Sequence, residues 1–279
     1  MFYVRAPVAA GMFYDLETER LKKQIDGCIN HPLGPRKLAE QEIIAAVAPH
    51  AGYMYSGAVQ AWTYSRMKKA NYVIIGPNHS GFGSQFAIMK KGLWKTPLGS
   101  IAVDEDFANK ITDACELVKQ DVVPHQAEHS IEVQIPFLQH RFGNDFKFVP
   151  ICILNDFPDD TFLKSCRVVG ETLAKVIKGS REKWILIASS DFSHYIPQEQ
   201  AMKIDKKLID AITKLDEKLL FSRVQQLRAS ICGYGPIAIV IAAAKKLGAK
   251  KGKLLKYATS GDTTGDMEAV VGYASIVMS

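Results

Sequence analysis

The chain has 279 residues and a formal net charge of +6, with 47% hydrophobic and 23% charged residues. These proportions are typical of an ordinary globular protein and exclude a disordered or fibrous chain. Apolar runs such as residues 237–244 are shorter than the ~20 residues that cross a bilayer, and the N-terminus has no apolar signal segment. We therefore expect one cytoplasmic domain over residues 1–279, with no membrane contact.

The positive charge is scattered as lysine pairs among acidic residues, and residues 245–253 form the only dense basic run. Nucleic-acid-binding domains more often cluster basic residues with aromatic residues between them, so we expect no nucleic-acid partner. The five cysteines form an odd set without a CxxC pair. This pattern favours a reduced compartment over a disulfide scaffold.

Short runs rich in valine and isoleucine alternate with segments of helical periodicity. The predicted strands are residues 43–48, 72–76, 146–153, 184–189, 253–259 and 269–278. The predicted helices are residues 135–142, 163–177, 204–215 and 237–247. Residues 85–103 alternate around a Pro-Leu-Gly turn and predict an antiparallel hairpin or an edge excursion. The alternation of strands and helices predicts an α/β domain whose largely parallel sheet is covered on both faces.

Three of the predicted strands run directly into histidine-containing segments. The histidines are His50, His79 and His194. In open α/β sheets, ligands bind in the crevice beyond the carboxyl ends of the strands, so these side chains are expected to face one crevice. A lone histidine in a loop is more often a surface residue, and we interpret His31 and His140 in that way.

Two further motifs precede predicted helices. In PHQAEHSIE, His129 is a better pocket candidate than His125 because a helix N-terminus follows it. In SICGYGP, Cys232 is expected to lie in a tight turn flanked by glycine. A lone cysteine is usually a small buried apolar residue, which is our interpretation of the other four cysteines.

Several tyrosines flank these motifs, so the crevice could be aromatic. They are Tyr53, Tyr55, Tyr195 and Tyr234. Packing in the core explains any one of them equally well. The segment SGDTTGD at residues 260–266 lacks the lysine of a phosphate loop, and we interpret it as a hairpin that supports the fold.

Seven segments together resemble the Memo family, which shares its fold with the class III extradiol ring-cleaving dioxygenases. They are RAPVAAGMFY, APHAGYMYSG, IIGPNHSG, EHSIEVQIPFL, ASSDFSHY, ICGYGPIAI and SGDTTGDMEAVVGYAS. The segments follow one another across almost the whole chain. The resemblance implies a single three-layer α/β domain of the dioxygenase type, with a mostly parallel or mixed central sheet.

The resemblance also implies a metal site. His50 and His79 match the metal-binding histidines of the dioxygenases, and Cys232 occupies the position of their glutamate ligand. One divalent metal is implied, with iron first and copper or zinc as alternatives, because a thiolate softens the ligand set. The replaced glutamate argues against ring cleavage itself.

Three further residues are expected to handle protons in the same pocket. The resemblance matches His194 to the acid/base histidine of the dioxygenases and places His129 in the pocket wall. Asp191 follows a predicted strand and could orient a ring or a water molecule. Capping of the following turn is an equally good interpretation of Asp191.

Two functions compete at this stage. The favoured hypothesis is a metal-dependent, redox-active enzyme that acts on a small organic substrate. The alternative is a non-enzymatic adaptor that retains the pocket and binds a peptide or another ligand there, since animal members of the family are linked to motility signalling. Prokaryotic members tend to accompany radical-SAM and AMMECR-type proteins, which the resemblance therefore implies as partners.

Overall fold

The computed structural model describes residues 3–279, which form a nine-stranded mixed sheet, helices on both of its faces and a separate three-stranded sheet. The strands are β1 (Val4–Arg5), β2 (Ala45–Ala48), β3 (Asn71–Pro77), β4 (Phe86–Ile88), β5 (Leu93–Thr96), β6 (Gly99–Ala102), β7 (Val118–Gln120), β8 (Phe148–Ile153), β9 (Trp184–Ser189), β10 (His194–Ile196), β11 (Gly252–Thr259) and β12 (Val270–Met278). The helices are α1 (Thr18–Asn30), α2 (Tyr53–Arg66), α3 (Glu105–Ala114), α4 (Val123–Gln126), α5 (Ile135–Phe142), α6 (Asp160–Lys178), α7 (Gln198–Thr213), α8 (Glu217–Leu227), α9 (Tyr234–Leu247) and α10 (Gly261–Thr264).

Four parallel strands occupy the middle of the large sheet. The strand order is β10-β12-β2-β9-β3-β8-β4-β7, and β11 pairs with β12. Strands β2, β9, β3 and β8 run parallel to one another, whereas β12 is antiparallel to β2 and β4 is antiparallel to β8. Parallel strands bring their carboxyl ends to the same edge, so the segments that follow β2, β9 and β3 meet there.

The large sheet separates two apolar clusters because successive side chains of a strand point to opposite faces. On β3, Val73 and Ile75 pack in one cluster with side chains from α3, α6 and α9. Tyr72 and Ile74 pack in the other cluster with side chains from α1, α2 and α5. The strands are apolar on both faces, which is why they read as continuous runs. The predicted three-layer α/β domain with a mixed sheet and helices on both faces is confirmed.

The predicted elements agree closely with the observed ones. Each of the six predicted strands is present, and α5, α6, α7 and α9 correspond to the predicted helices. Residues 85–103 contain an antiparallel hairpin, β5–β6, which pairs with β1 in the small sheet. Residues 260–266 connect the antiparallel strands β11 and β12, as predicted, but they include the short helix α10. Within residues 3–279, no helix combines the length and apolarity needed to cross a membrane.

A buried ion pair attaches the N-terminal segment to the body of the domain. Arg5 is 1% exposed and forms an ion pair with Glu132. The guanidinium also donates to the backbone carbonyls of His125 and Glu128, each at 2.6 Å, and lies 4.0 Å from the ring centre of Trp94. These contacts fix the position of residues 125–132, which include two residues of the candidate site.

Candidate metal centre

A cavity of about 660 Å³ opens at the carboxyl edge of the parallel strands. Its lining includes the strand-end histidines His50, His79 and His194, together with His129 and Asp191. His50 follows β2, His79 follows β3 and Asp191 follows β9. The structure therefore brings the predicted strand-end histidines into one crevice, for the topological reason given above.

Three of these histidines form a compact group. The potential ligand atoms of His50, His79 and His129 all lie within 4.8 Å of one another. The ring centres are 5.3 Å apart for His50 and His79, 5.4 Å for His50 and His129, and 4.9 Å for His79 and His129. Three ligands facing a cavity leave coordination positions open, which is typical of catalytic rather than structural metal sites. His129, predicted as a pocket residue, thus also has the position of a third ligand.

Cys232 lies beside this group. Its Sγ is 3.2 Å from Nε2 of His50, and it accepts a hydrogen bond of 3.3 Å from the backbone N–H of Asp191. Metal bonds of about 2.0 Å to nitrogen and 2.3 Å to sulfur would place neighbouring ligand atoms roughly 3.1–3.6 Å apart, so both atoms could bind one ion. Cys232 is not one of the described residues that line the cavity. Its role as the third ligand stays a prediction.

The turn that contains Cys232 packs closely against the end of β9. A Cβ atom at Gly233 would lie 2.4 Å from Cβ of Ser190 and 2.6 Å from the carbonyl oxygen of Ser189, so only glycine fits. The predicted tight, glycine-flanked turn is therefore present. Burial and the nearby charge of Asp191 raise the pKa of the Cys232 thiol well above its usual value. The thiol is protonated at neutral pH unless a metal displaces the proton.

Glu128 orients His79, lies close to His129 and was not identified from the sequence. Its Oε1 is 2.9 Å from Nδ1 of His79 and 3.4 Å from Nδ1 of His129, and its Oε2 accepts the backbone N–H of His79. Burial opposes ionisation of Glu128, but the hydrogen bond and charge of His79 outweigh it and lower the pKa to about 2. A carboxylate at Nδ1 holds the Nε2 lone pair of His79 toward the cavity.

The pKa values of His79 and His129 shift in opposite directions because only His79 has a hydrogen bond to Glu128. Burial opposes protonation of His79, but the hydrogen bond and charge of Glu128 raise its pKa above the usual value. Burial and the neighbouring His50 lower the pKa of His129 to about 4. Burial also lowers the pKa of His50 well below its usual value. His50 and His129 are therefore neutral at pH 7, the state in which imidazole binds metals.

His194 lies in the cavity wall outside the group of three. Its Nδ1 is 2.8 Å from the backbone carbonyl oxygen of Ser230, and its backbone N–H donates to Oγ of Ser230 at 2.8 Å. A carbonyl oxygen can only accept a hydrogen bond, so Nδ1 carries a proton. In the neutral ring, Nε2 therefore keeps a free lone pair. This arrangement suits the predicted acid/base role.

Asp191 holds the backbone of a neighbouring strand end. Its Oδ1 accepts the backbone N–H of His50 at 2.8 Å, whereas its Oδ2 is 3.9 Å from Nε2 of His50, beyond hydrogen-bond distance. Burial raises the pKa of this carboxyl group. The observed contact fixes the loop between β2 and α2, and the side chain also lines the cavity. The role of Asp191 in orienting a ring or a water molecule stays a prediction.

Aromatic side chains form much of the remaining wall. Phe13 stacks on His129 with ring centres 4.3 Å apart, and Tyr55 and Tyr195 line the cavity, as one sequence interpretation proposed. Tyr53, by contrast, is buried and donates its hydroxyl to the Val133 carbonyl. The alternative that the sequence left open, packing in the core, therefore applies to Tyr53. It applies equally to the fourth tyrosine, Tyr234, whose ring packs against Phe162 and Phe221.

The segment between β11 and β12 forms a further part of the cavity wall. Ser260, Thr264, Asp266 and Ala269 line the cavity there. The interpretation of residues 260–266 as a support of the fold was therefore incomplete, because it missed this contribution. Hydroxyl and carboxyl groups in a connection between two strands carry no sequence signal that separates a cavity wall from a solvated turn.

Replacing Glu128 by glutamine is expected to weaken metal binding about 10- to 100-fold, because an uncharged amide orients the His79 imidazole less strongly. Competition with a chromophoric chelator measures the affinity. Glu217→Gln is the matched control, since Glu217 is also a buried carboxylate but pairs with Arg167 and Lys245 elsewhere. Equal affinities of wild type and Glu128→Gln would contradict the assigned role.

Comparisons with known proteins agree with the sequence resemblance. Residues 5–277 match the family model described as Memo-like protein. A MEMO1 family protein from Methanopyrus kandleri is 45% identical over 98% of both chains, and one from Pyrobaculum aerophilum is 46% identical over 98% of both chains.

One solved structure shows the same fold at low sequence identity. It is an uncharacterized protein from Escherichia coli K12, with a TM-score of 0.56 and 14% identity, and the match covers 85% of this chain and all of that chain. This likeness concerns the fold alone. The family match and the relatives extend over nearly every residue, and the chain therefore belongs to the Memo family.

Proposed function

We propose that the protein is a metal-dependent enzyme that acts on a small organic molecule. One observation carries the proposal: His50, His79 and His129 bring their ligand atoms within 4.8 Å of one another at the wall of a cavity of about 660 Å³. Cavities of this size hold small organic ligands. A purely structural metal would have no need of the adjoining cavity.

The donor set fits one divalent ion. His50 and His79 would bind it, with either His129 or Cys232 as the third ligand. Nitrogen and sulfur donors suit iron, copper and zinc. We propose iron first because non-haem iron oxygenases also use three protein ligands with open positions, with a carboxylate where this chain has His129 or Cys232. The bound ion would act as a Lewis acid and, if it is iron or copper, as a redox centre.

The chain's own residues supply binding and proton transfer. The Nε2 lone pair of His194 could accept a proton from a hydroxyl group of the substrate or from water. Phe13 and Tyr55 offer apolar surface for the body of the substrate. Glu128 holds the His79 ring in place, and Asp191 holds the backbone N–H of His50.

Metal analysis of protein purified without added metal tests the proposal. We expect one iron, copper or zinc ion per wild-type chain and none in His50→Ala. The variants His129→Ala and Cys232→Ser then identify the third ligand, because the correct one loses the ion. His31→Ala is the control, since His31 bonds only the backbone of its own loop among the described residues. A metal-free wild type would contradict the proposal.

Peptide binding is a second candidate function, and a neighbouring groove favours it. Met12, Leu16 and Met54 are highly exposed and line a depression of about 360 Å³ that shares Phe13 with the cavity. Exposed apolar patches of this kind often mark binding surfaces. Peptide binding that survives both chelation and His79→Ala would assign the protein to this function and make the metal irrelevant to it.

A further inference from the structure

A buried polar network contacts Nδ1 of His50. It is formed by Ser189, at the end of β9, and by Ser130 and Gln134. Its members Ser189, Ser130 and Gln134 are all 0% exposed. Oγ of Ser189 is 2.9 Å from Nδ1 of His50, the ring atom opposite the one near Cys232. Buried polar groups must satisfy one another, so the direction of each hydrogen bond can be worked out from its partners.

The hydroxyl group of Ser189 donates its hydrogen to the backbone carbonyl of Ser130. Oγ of Ser189 is 2.6 Å from the backbone carbonyl oxygen of Ser130, which can only accept, so the hydroxyl donates there. Nε2 of Gln134 donates to the same Oγ at 2.8 Å. The remaining contact of this oxygen is Nδ1 of His50, which therefore meets a lone pair and must donate a proton to it.

The orientation of the Gln134 amide is fixed by independent contacts. Its Oε1 accepts from the Tyr64 hydroxyl at 2.5 Å and from Nε2 of Gln60 at 2.8 Å, and its Nε2 donates to the Pro49 carbonyl at 2.9 Å. In a flipped amide, the nitrogen of Gln134 would face Nε2 of Gln60, donor against donor. Its oxygen would face the Pro49 carbonyl oxygen, acceptor against acceptor. The assigned orientation satisfies the Tyr64 hydroxyl, Nε2 of Gln60 and the Pro49 carbonyl together, which the flipped amide would not.

We propose that Ser189 and Gln134 are positioning residues that fix His50 in the tautomer with its proton on Nδ1, so that the Nε2 lone pair faces the cavity. The competing tautomer would carry the proton on Nε2. Sγ of Cys232 lies 3.2 Å from Nε2 and could accept a hydrogen bond from it. That proton would block metal binding. The consequence for metal rests on the proposed function, whereas the tautomer itself does not.

The network gives His50 a partner of a different kind from that of His79. Glu128 is a charged acceptor for Nδ1 of His79, while Ser189 is a neutral hydroxyl for His50. Ser130 connects the two arrangements, because its backbone N–H donates to Glu128 and its carbonyl accepts from Ser189. Residues 128–134 therefore help to fix the proton on two imidazoles, on His79 through Glu128 and on His50 through the contacts of Ser130 and Gln134 with Ser189.

Nitrogen-15 NMR of the metal-free protein at pH 8 tests the proposal directly. We expect the His50 signals of the wild type to show a protonated Nδ1 and an unprotonated Nε2. In Ser189→Ala, the form with a proton on Nε2 should become populated, and metal affinity should fall about 10- to 100-fold. Ser275→Ala is the matched control, because Ser275 is equally buried and bonds Thr63 away from the cavity. Its His50 signals should equal those of the wild type.

Two results would overturn the proposal. One is a wild-type His50 with its proton on Nε2, a measurement that requires no variant to fold. The other is a Ser189→Ala protein whose His50 signals match those of the wild type. A protein with the expected tautomers that binds no metal would leave this proposal supported and refute the proposed function instead.

Discussion

Replacing His79 by asparagine is expected to reduce metal affinity by more than about 100-fold, beyond the range found for residues that only orient a ligand. Asparagine can still donate to Glu128 from its side-chain nitrogen, in place of Nδ1 of the imidazole, but it offers no donor at the position of Nε2. The His79 side chain is 38% exposed, so its replacement leaves little buried empty space.

Metal content by mass spectrometry and far-ultraviolet circular dichroism together check this prediction. The circular dichroism spectrum should match that of the wild type, which separates loss of the site from loss of the fold. His140→Asn is the control, since His140 pairs with Asp26 on α1, away from the cavity. Stoichiometric metal in His79→Asn would exclude His79 as a ligand and, with it, the proposed arrangement.

Replacing Glu132 by alanine is expected to lower the free energy of unfolding by about 3–5 kcal/mol, because it leaves the Arg5 charge buried without its partner. The carboxylate also accepts hydrogen bonds from the backbone N–H groups of Val8 and Ala9 and from the Tyr14 hydroxyl. Those donors would lose their partner as well.

Urea denaturation with linear extrapolation measures the change in stability. Glu42→Gln serves as the control, because Glu42 pairs with Lys68 and Lys183 in solvent, and it should leave the transition midpoint unchanged. If Glu132→Ala unfolds at the same urea concentration as Glu42→Gln, the buried ion pair does not stabilise the attachment of the N-terminal segment.

Much of the fold followed from the sequence because β2, β3 and β9 are buried on both faces and read as uninterrupted apolar runs. Their parallel arrangement then places His50, His79 and Asp191 at one edge. Histidines that directly follow parallel strands therefore predict a crevice at the carboxyl edge of the sheet. They do not determine which side chains in the crevice touch one another.

The residues that orient the histidines were missed for a physical reason. Glu128 is 49 positions from His79, and Gln134 is 55 positions from Ser189, so these contacts exist only after the sheet has formed. Neither a carboxylate beside His129 nor a glutamine before a helix is unusual in a single sequence. His129 was expected in the pocket wall as a residue that could handle protons, and not as a ligand, because its distance to the other two imidazoles depends on the path of residues 125–132.

Two parts of the cavity wall come from distant parts of the chain. The histidine group is built from strand ends and from residues 128 and 129, whereas residues 260–269 supply another part of the wall. We therefore expect these two regions to change independently during evolution. Exchanging the loop between β11 and β12 for that of a relative should transfer ligand preference while metal affinity stays constant, so that one inherited centre could serve different chemistries in different organisms.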